Sequence, residues 1–147
     1  MTYADTSFLA SLYLEDANTD RAVELVEGGH GSYPLTPFLR LELRNAVRLA
    51  AFRKMIASRQ ATDILQDIED DRQGAFLADT PAAWTELLER AEMLSAGHTA
   101  KTGIRTLDLI HVATAVTLGV DTFFTFDPRQ RALALKVGLK VLPEADG

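Results

Sequence analysis

The stretch RTLDLIHVATAVTLGVDTFFTFD, Arg105 to Asp127, reads as a helix, a turn and a buried strand with a carboxylate near each end, Asp108 and Asp127. Leu109, Val112, Ala113 and Val116 recur at helical spacing, Gly119 supplies a left-handed stop, and Thr122 to Phe126 is a β-branched and aromatic run of strand length. An acid at the start of the helix and another just past the carboxyl end of the strand can converge on one edge of an α/β sheet, where such folds place their ligands. Each acid also has a purely structural reading. Asp108 can complement the helix dipole from the first turn, and Asp127 can open the Asp-Pro turn before Arg129. What separates the readings is whether other acids reach the same place.

Toward the N-terminus, Thr2 to Ala4 is a short apolar stretch, followed by Asp5-Thr6-Ser7 and by Phe8 to Leu14 at helical density. The pattern predicts a strand, an acid at its carboxyl end, and a helix with Ser7 as N-cap. Asn18 or Thr19 opens a helix through Val26 that Gly28-Gly29 ends, and Tyr33-Pro34-Leu35 suits a short second strand. Thr36-Pro37 joins a capping hydroxyl to a first-turn proline, and no glycine or proline interrupts Phe38 to Ile56, so a long helix is expected there. Helical geometry puts Glu42 on a face with Asn45, Ala46, Leu49 and Arg53. It is either a carboxylate that needs a partner over an apolar stripe or a boundary residue that reaches solvent or pairs with Arg53. Arg40, Arg44 and Arg48 form a stripe on roughly the opposite side, expected as a solvated or partner-facing surface.

A helix from about Ala61 to Asp71 should end in solvated, fraying acids, Glu69-Asp70-Asp71. Ala75 to Ala78 is a short strand or loop. Thr80-Pro81 repeats the capping pattern before Trp84, Leu87, Leu88, Ala91 and Leu94, a helix that Gly97 ends, with Trp84 expected in a core or an interface. His98 to Arg105 then reads as a polar loop. Beyond Asp127 come Pro128, a helix through Val137, Gly138 as its stop, and a last strand Leu139 to Leu142.

The chain's 147 residues suit a single domain over 1–147 with a sizeable core. No apolar run approaches the roughly 20 residues of a bilayer crossing. The start MTYADTSFLA places Asp5 before its apolar residues and has no basic segment, so no signal peptide is expected and the expected location is cytoplasmic. There is no cysteine, which excludes disulfides, thiolate nucleophiles and Cys-ligated metals, so any metal must be held by oxygen or imidazole. A net charge of -6 argues against broad electrostatic wrapping of nucleic acid, but cations held by clustered carboxylates would offset it locally.

Asp5, Glu42, Asp108 and Asp127 lie far apart in sequence, and only folding can bring them together. Several carboxylates in one pocket repel unless a divalent cation neutralises them, and an all-oxygen set suits Mg²⁺ or Mn²⁺. A metal so held polarises a phosphoryl oxygen, lowers the pKa of a water and stabilises a leaving oxygen, which is nuclease chemistry. Ser7 and Thr125 are hydroxyls near these acids in sequence and can support them.

With these motifs in order, YADTSFL, LELRNAV, RTLDLIHVATA and FFTFDPR, the chain resembles the PIN-domain ribonucleases, and among them the VapC-type toxins of toxin–antitoxin pairs. The resemblance covers nearly the whole chain. It implies an α/β fold, a three-layer α/β/α sandwich with a central, mainly parallel sheet. It implies a Mg²⁺ or Mn²⁺ site built by Asp5, Glu42, Asp108 and Asp127, and hydrolysis of RNA by an activated water. Ser7 and Thr125 match positions that help order such a site, and His111 matches a recurrent residue read first as structural support. The implied partners are RNA, a cognate antitoxin protein and further copies of the chain in a homodimer or larger assembly.

Two other folds gather acids in this way. A haloacid-dehalogenase-like phosphatase needs a second Asp two residues after the first, where this chain has Ser7. A receiver domain needs a late-strand lysine, and Asp127 is followed by Pro128 and Arg129. A non-enzymatic alternative is a PIN-like interaction module whose acids are silent.

Overall fold

The computed structural model describes residues 1–29 and 31–146. In chain order its elements are β1 (Thr2–Ala4), α1 (Thr6–Tyr13), α2 (Thr19–Glu27), β2 (Tyr33–Leu35), α3 (Pro37–Phe52), α4 (Ser58–Gln73), β3 (Leu77–Asp79), α5 (Trp84–Thr102), α6 (Thr106–Thr117), β4 (Thr122–Phe124), α7 (Pro128–Lys136) and β5 (Lys140–Leu142). They group into two compact units, Met1–Asp5 with Ala82–Gly147, and Thr6–Pro81.

In the first unit β4 lies between β1 and β5, and both pairings are parallel, with Ala4 opposite Phe124 and Phe124 opposite Leu142. Parallel neighbours need a crossover, which α7 supplies between β4 and β5. Tyr3 and Phe123 point to the same side of neighbouring strands and stack with ring centroids 5.5 Å apart, both fully buried. Leu109, Val112, Ala113 and Ala115 bury most of α6, which packs against α5 and α7. Gly119 takes φ 70 and turns the chain from α6 into β4, as the sequence predicts.

In the second unit β2 pairs in parallel with β3, Leu35 opposite Asp79. Thr36 caps α3 as expected, its hydroxyl accepting the Leu39 N–H at 3.2 Å. The buried stripe of α3 is Leu39, Leu43, Val47 and Ala50, so the apolar face expected through Ala46 and Leu49 is rotated, and Leu49 is 37% exposed. Helix α3 stops at Phe52, short of Ile56, because Lys54 adopts φ 58 and breaks the helix there.

Several other expectations change. Helix α5 runs through Gly97 to Thr102 and ends at Gly103, which takes φ 66, so His98 to Thr102 is helix and not loop. An exposed glycine only weakens a helix, whereas a left-handed C-cap ends one. Thr80 does not cap α5, whose N-cap is Ala83; its hydroxyl donates to the Ala78 carbonyl oxygen. Ser7 lies inside α1, one residue past its start, and is not its N-cap. Trp84 is 41% exposed and lies outside the core. The acids ending α4 are engaged and not frayed: Asp71 accepts the Tyr13 phenol, Asp70 accepts Gln66, and Glu69 pairs with Arg72, which also reaches Asp79. Burial first, and then Asp71, raises the Tyr13 pKa.

Among the described residues no helix is long and apolar enough to cross a membrane.

Candidate functional site

Pairing of β1 with β4 carries Asp5 to the carboxyl end of the strand, where its N–H extends the ladder by bonding the Phe124 carbonyl oxygen at 3.1 Å. Asp5 is 0% exposed. A carboxylate so buried is costly unless hydrogen-bonded. Its Oδ2 accepts a 2.6 Å bond from Thr125 Oγ1, and Thr125, the residue after β4, is equally buried. Strand β4 ends at Phe124, two residues earlier than the sequence suggests, and the Thr125 N–H still bonds the Leu142 carbonyl oxygen at 3.1 Å while its hydroxyl meets Asp5. The same hydroxyl oxygen accepts the Asp127 N–H at 2.9 Å. Arg131 of α7 donates to the Thr125 carbonyl oxygen at 3.0 Å, bringing a cation to the same strand end.

Asp127 is the N-cap of α7, its Oδ1 accepting the N–H groups of Arg129 at 2.8 Å and Gln130 at 2.9 Å. Asp108 is half-buried in the first turn of α6. Its Oδ1 accepts the side-chain amide of Gln130 at 3.0 Å. A continuous set of hydrogen bonds thus runs from Asp5 through Thr125, Asp127 and Gln130 to Asp108, bringing three of the four sequence-predicted acids into one network within one unit. His111 is 2% exposed on α6, with Nδ1 2.8 Å from the Tyr3 hydroxyl.

Glu42 belongs to the other unit. It is half-buried on α3 and accepts a 2.6 Å bond from Thr6 Oγ1. Ser7 follows Thr6 in the first turn of α1. A cleft of about 390 Å³ in this unit, lined by Arg40, Arg72 and Asp79 among others, contains none of the sequence-predicted site residues.

Thr6, Gln130 and Arg131 are the polar residues that sequence reasoning passed over. For Gln130 a signal existed, since Asp127-Pro128-Arg129-Gln130 places a capping acid three residues before a glutamine. Thr6 and Arg131 carry no comparable local signal, because their bonds depend on chain-distant geometry.

Among the described residues no group of three or more His, Asp or Glu side chains is placed to hold a metal ion. By donor type alone the acids suit a hard cation: their donor atoms are all oxygens, and Asp108 and Asp127 meet Gln130 through Oδ1 alone.

Residues 2–136 match the family model of the PIN domain. The chain belongs to the PIN-domain family. The solved structures that share its fold include these two. One is Mycobacterium tuberculosis VapC20, a sarcin-ricin loop cleaving toxin, with a TM-score of 0.66 at 20% identity over 90% of this chain and 94% of that one. The other is FitAcB from Neisseria gonorrhoeae, with a TM-score of 0.65 at 15% identity over 97% of each chain. No curated protein sequence matches this chain. The parallel α/β fold expected of a PIN domain is the fold the chain has, and family membership removes the ground for the phosphatase and receiver readings.

Proposed function

We propose that this PIN domain, taken as a single domain over 1–147, is a metal-dependent endoribonuclease acting as the toxin of a type II toxin–antitoxin pair. The observation that carries the reading is the hydrogen-bonded set linking Asp5, Thr125, Asp127, Gln130 and Asp108 at the carboxyl ends of parallel strands, where α/β folds place their ligands. The family resemblance names Glu42 beside these acids as a proposed ligand. They would hold Mg²⁺ or Mn²⁺, and the ion would supply Lewis-acid polarisation of a phosphodiester and a more acidic attacking water.

The chain's own residues do the positioning. Thr125 offsets the burial of the Asp5 carboxylate and ties it to the backbone of Asp127. Thr6 fixes one oxygen of Glu42. Arg131 donates to the Thr125 carbonyl oxygen and so braces the same strand end. Ser7 and His111 are assigned supporting roles. The proposed partners are an RNA substrate, a cognate antitoxin protein and a second or further copy of the chain, in the cytoplasm.

The test is incubation of the purified protein with total cellular RNA in Mn²⁺ or Mg²⁺, followed by chelation. Discrete cuts that stop with EDTA and resume with added Mn²⁺ are expected. Cuts indifferent to EDTA overturn the metal assignment.

One observation favours a second reading, the silent interaction module: the N-cap geometry fully accounts for Asp127 without any ligand. A folded protein that binds Mn²⁺ and leaves several RNA classes intact supports that module.

A further inference from the structure

Gln130 occupies the third position of α7, after the N-cap Asp127. A glutamine there ordinarily folds back on the N–H of the cap residue and closes a capping box. Here that N–H is already held by Thr125 Oγ1 at 2.9 Å, and the Gln130 side chain turns instead to Asp108 on α6, donating from Nε2 at 3.0 Å. Its own backbone N–H bonds Asp127 Oδ1 at 2.9 Å. One residue therefore grips two carboxylates that lie 19 positions apart in sequence.

The grip has a cost. Gln130 is 5% exposed, and its Oε1 is buried with no hydrogen-bond partner among the described residues. A buried acceptor left unpaired opposes folding. An apolar side chain of the same length would fill the space without that penalty, so the amide is explained by what it holds and not by packing. Both bonds land on Oδ1 atoms, which fixes the orientation of each carboxylate while leaving each Oδ2 outside the grip.

We infer that Gln130 is the positioning residue that sets the spacing and orientation of Asp108 and Asp127 for a divalent cation, an inference that rests on the metal-dependent ribonuclease reading. It acts through the acids and touches no reacting atom.

The experiment is calorimetric titration of the full chain with Mn²⁺ alone, alongside its melting temperature without metal, for the parent, Gln130→Met, Gln130→Ala and Asp108→Asn. Gln130→Met keeps the length of the side chain and removes both the donor and the orphan oxygen. The expected result is Mn²⁺ affinity about 10- to 100-fold weaker, with cooperative melting retained. Gln130→Ala gives the same loss of affinity if the thioether fits poorly. Parental affinity in either folded variant overturns the inference while the ribonuclease reading stands, as does loss of cooperative melting in both, which would make Gln130 a purely structural residue. If the parent binds no Mn²⁺, or Asp108→Asn binds it as well as the parent does, the metal reading itself fails and takes the inference with it.

Discussion

Thr125 donates a 2.6 Å hydrogen bond to the buried carboxylate of Asp5, joining the end of β4 to the end of β1 across 120 positions of sequence. The same oxygen receives the Asp127 N–H, so this one hydroxyl satisfies a buried acid and orients a second acid's backbone. Thr125→Val keeps the shape and removes both bonds. It should destabilise the protein by about 1–3 kcal/mol in denaturant melts, while Thr125→Ser stays close to the parent. Equal stability of the valine and serine variants would contradict this role for the hydroxyl.

Asp127 serves as an N-cap whatever else it does. Asp127→Ala should lose about 1 kcal/mol, and Asp127→Asn, which still offers an oxygen to the Arg129 and Gln130 N–H groups, should lose little. RNA cleavage separates the two roles. A fully active Asp127→Asn would leave Asp127 as a cap alone.

The α4 terminus gives a pH dependence. The hydrogen bond from Arg72, foremost, holds Glu69 well below its ordinary 4.5, at about 2. Because the folded value is depressed, the stabilisation is present above the unfolded value and is lost as pH falls from about 4.5 through about 2. Denaturation midpoints of the parent should therefore fall faster over that window than those of Glu69→Gln. At the other end, burial and Asp71 raise the Tyr13 phenol above its ordinary 10.0, so its contribution is complete below pH 10.0 and is lost at more alkaline pH. Tyr13→Phe should flatten that alkaline decline.

Helix α5 offers a paired test. A methyl group added at exposed Gly97 meets nothing within 4 Å, so Gly97→Ala should stabilise by roughly 0.5–1 kcal/mol. Gly103 also has open space, but its φ of 66 favours glycine, so Gly103→Ala should destabilise by a similar amount, about 1 kcal/mol. Thermal melts moving in the same direction for both would refute the reassigned helix end.

That pair also marks where sequence reading stops. The run from Leu109 through Gly119 to Phe124 was legible because periodicity, stop and strand composition are local and agree. Thr36-Pro37 was legible for the same reason, since its cap bond spans three residues. Gly97 and Gly103 look alike in sequence, and only the backbone dihedral distinguishes a tolerated glycine from a terminating one. Thr80-Pro81 resembles Thr36-Pro37, yet the hydroxyl turns back to Ala78 because the chain is leaving β3. In the candidate site the acids were readable as residue types at element ends. Their partners were not: Thr6 lies 36 positions from Glu42, and Gln130 lies 22 from Asp108. The capping-box pattern at Asp127 to Gln130 was present, but the Asp127 N–H donates to Thr125 Oγ1 and the glutamine turns to Asp108.

In the proposed function, the carboxylates of Asp5, Asp108 and Asp127 cut RNA through a bound cation. The most direct measurement is cleavage of total cellular RNA by the purified parent and Asp108→Asn, side by side, in Mn²⁺. The substitution leaves an oxygen for the Gln130 amide and so preserves the fold. Discrete cuts by the parent and none by folded Asp108→Asn are predicted. Equal cutting by both proteins would contradict the account.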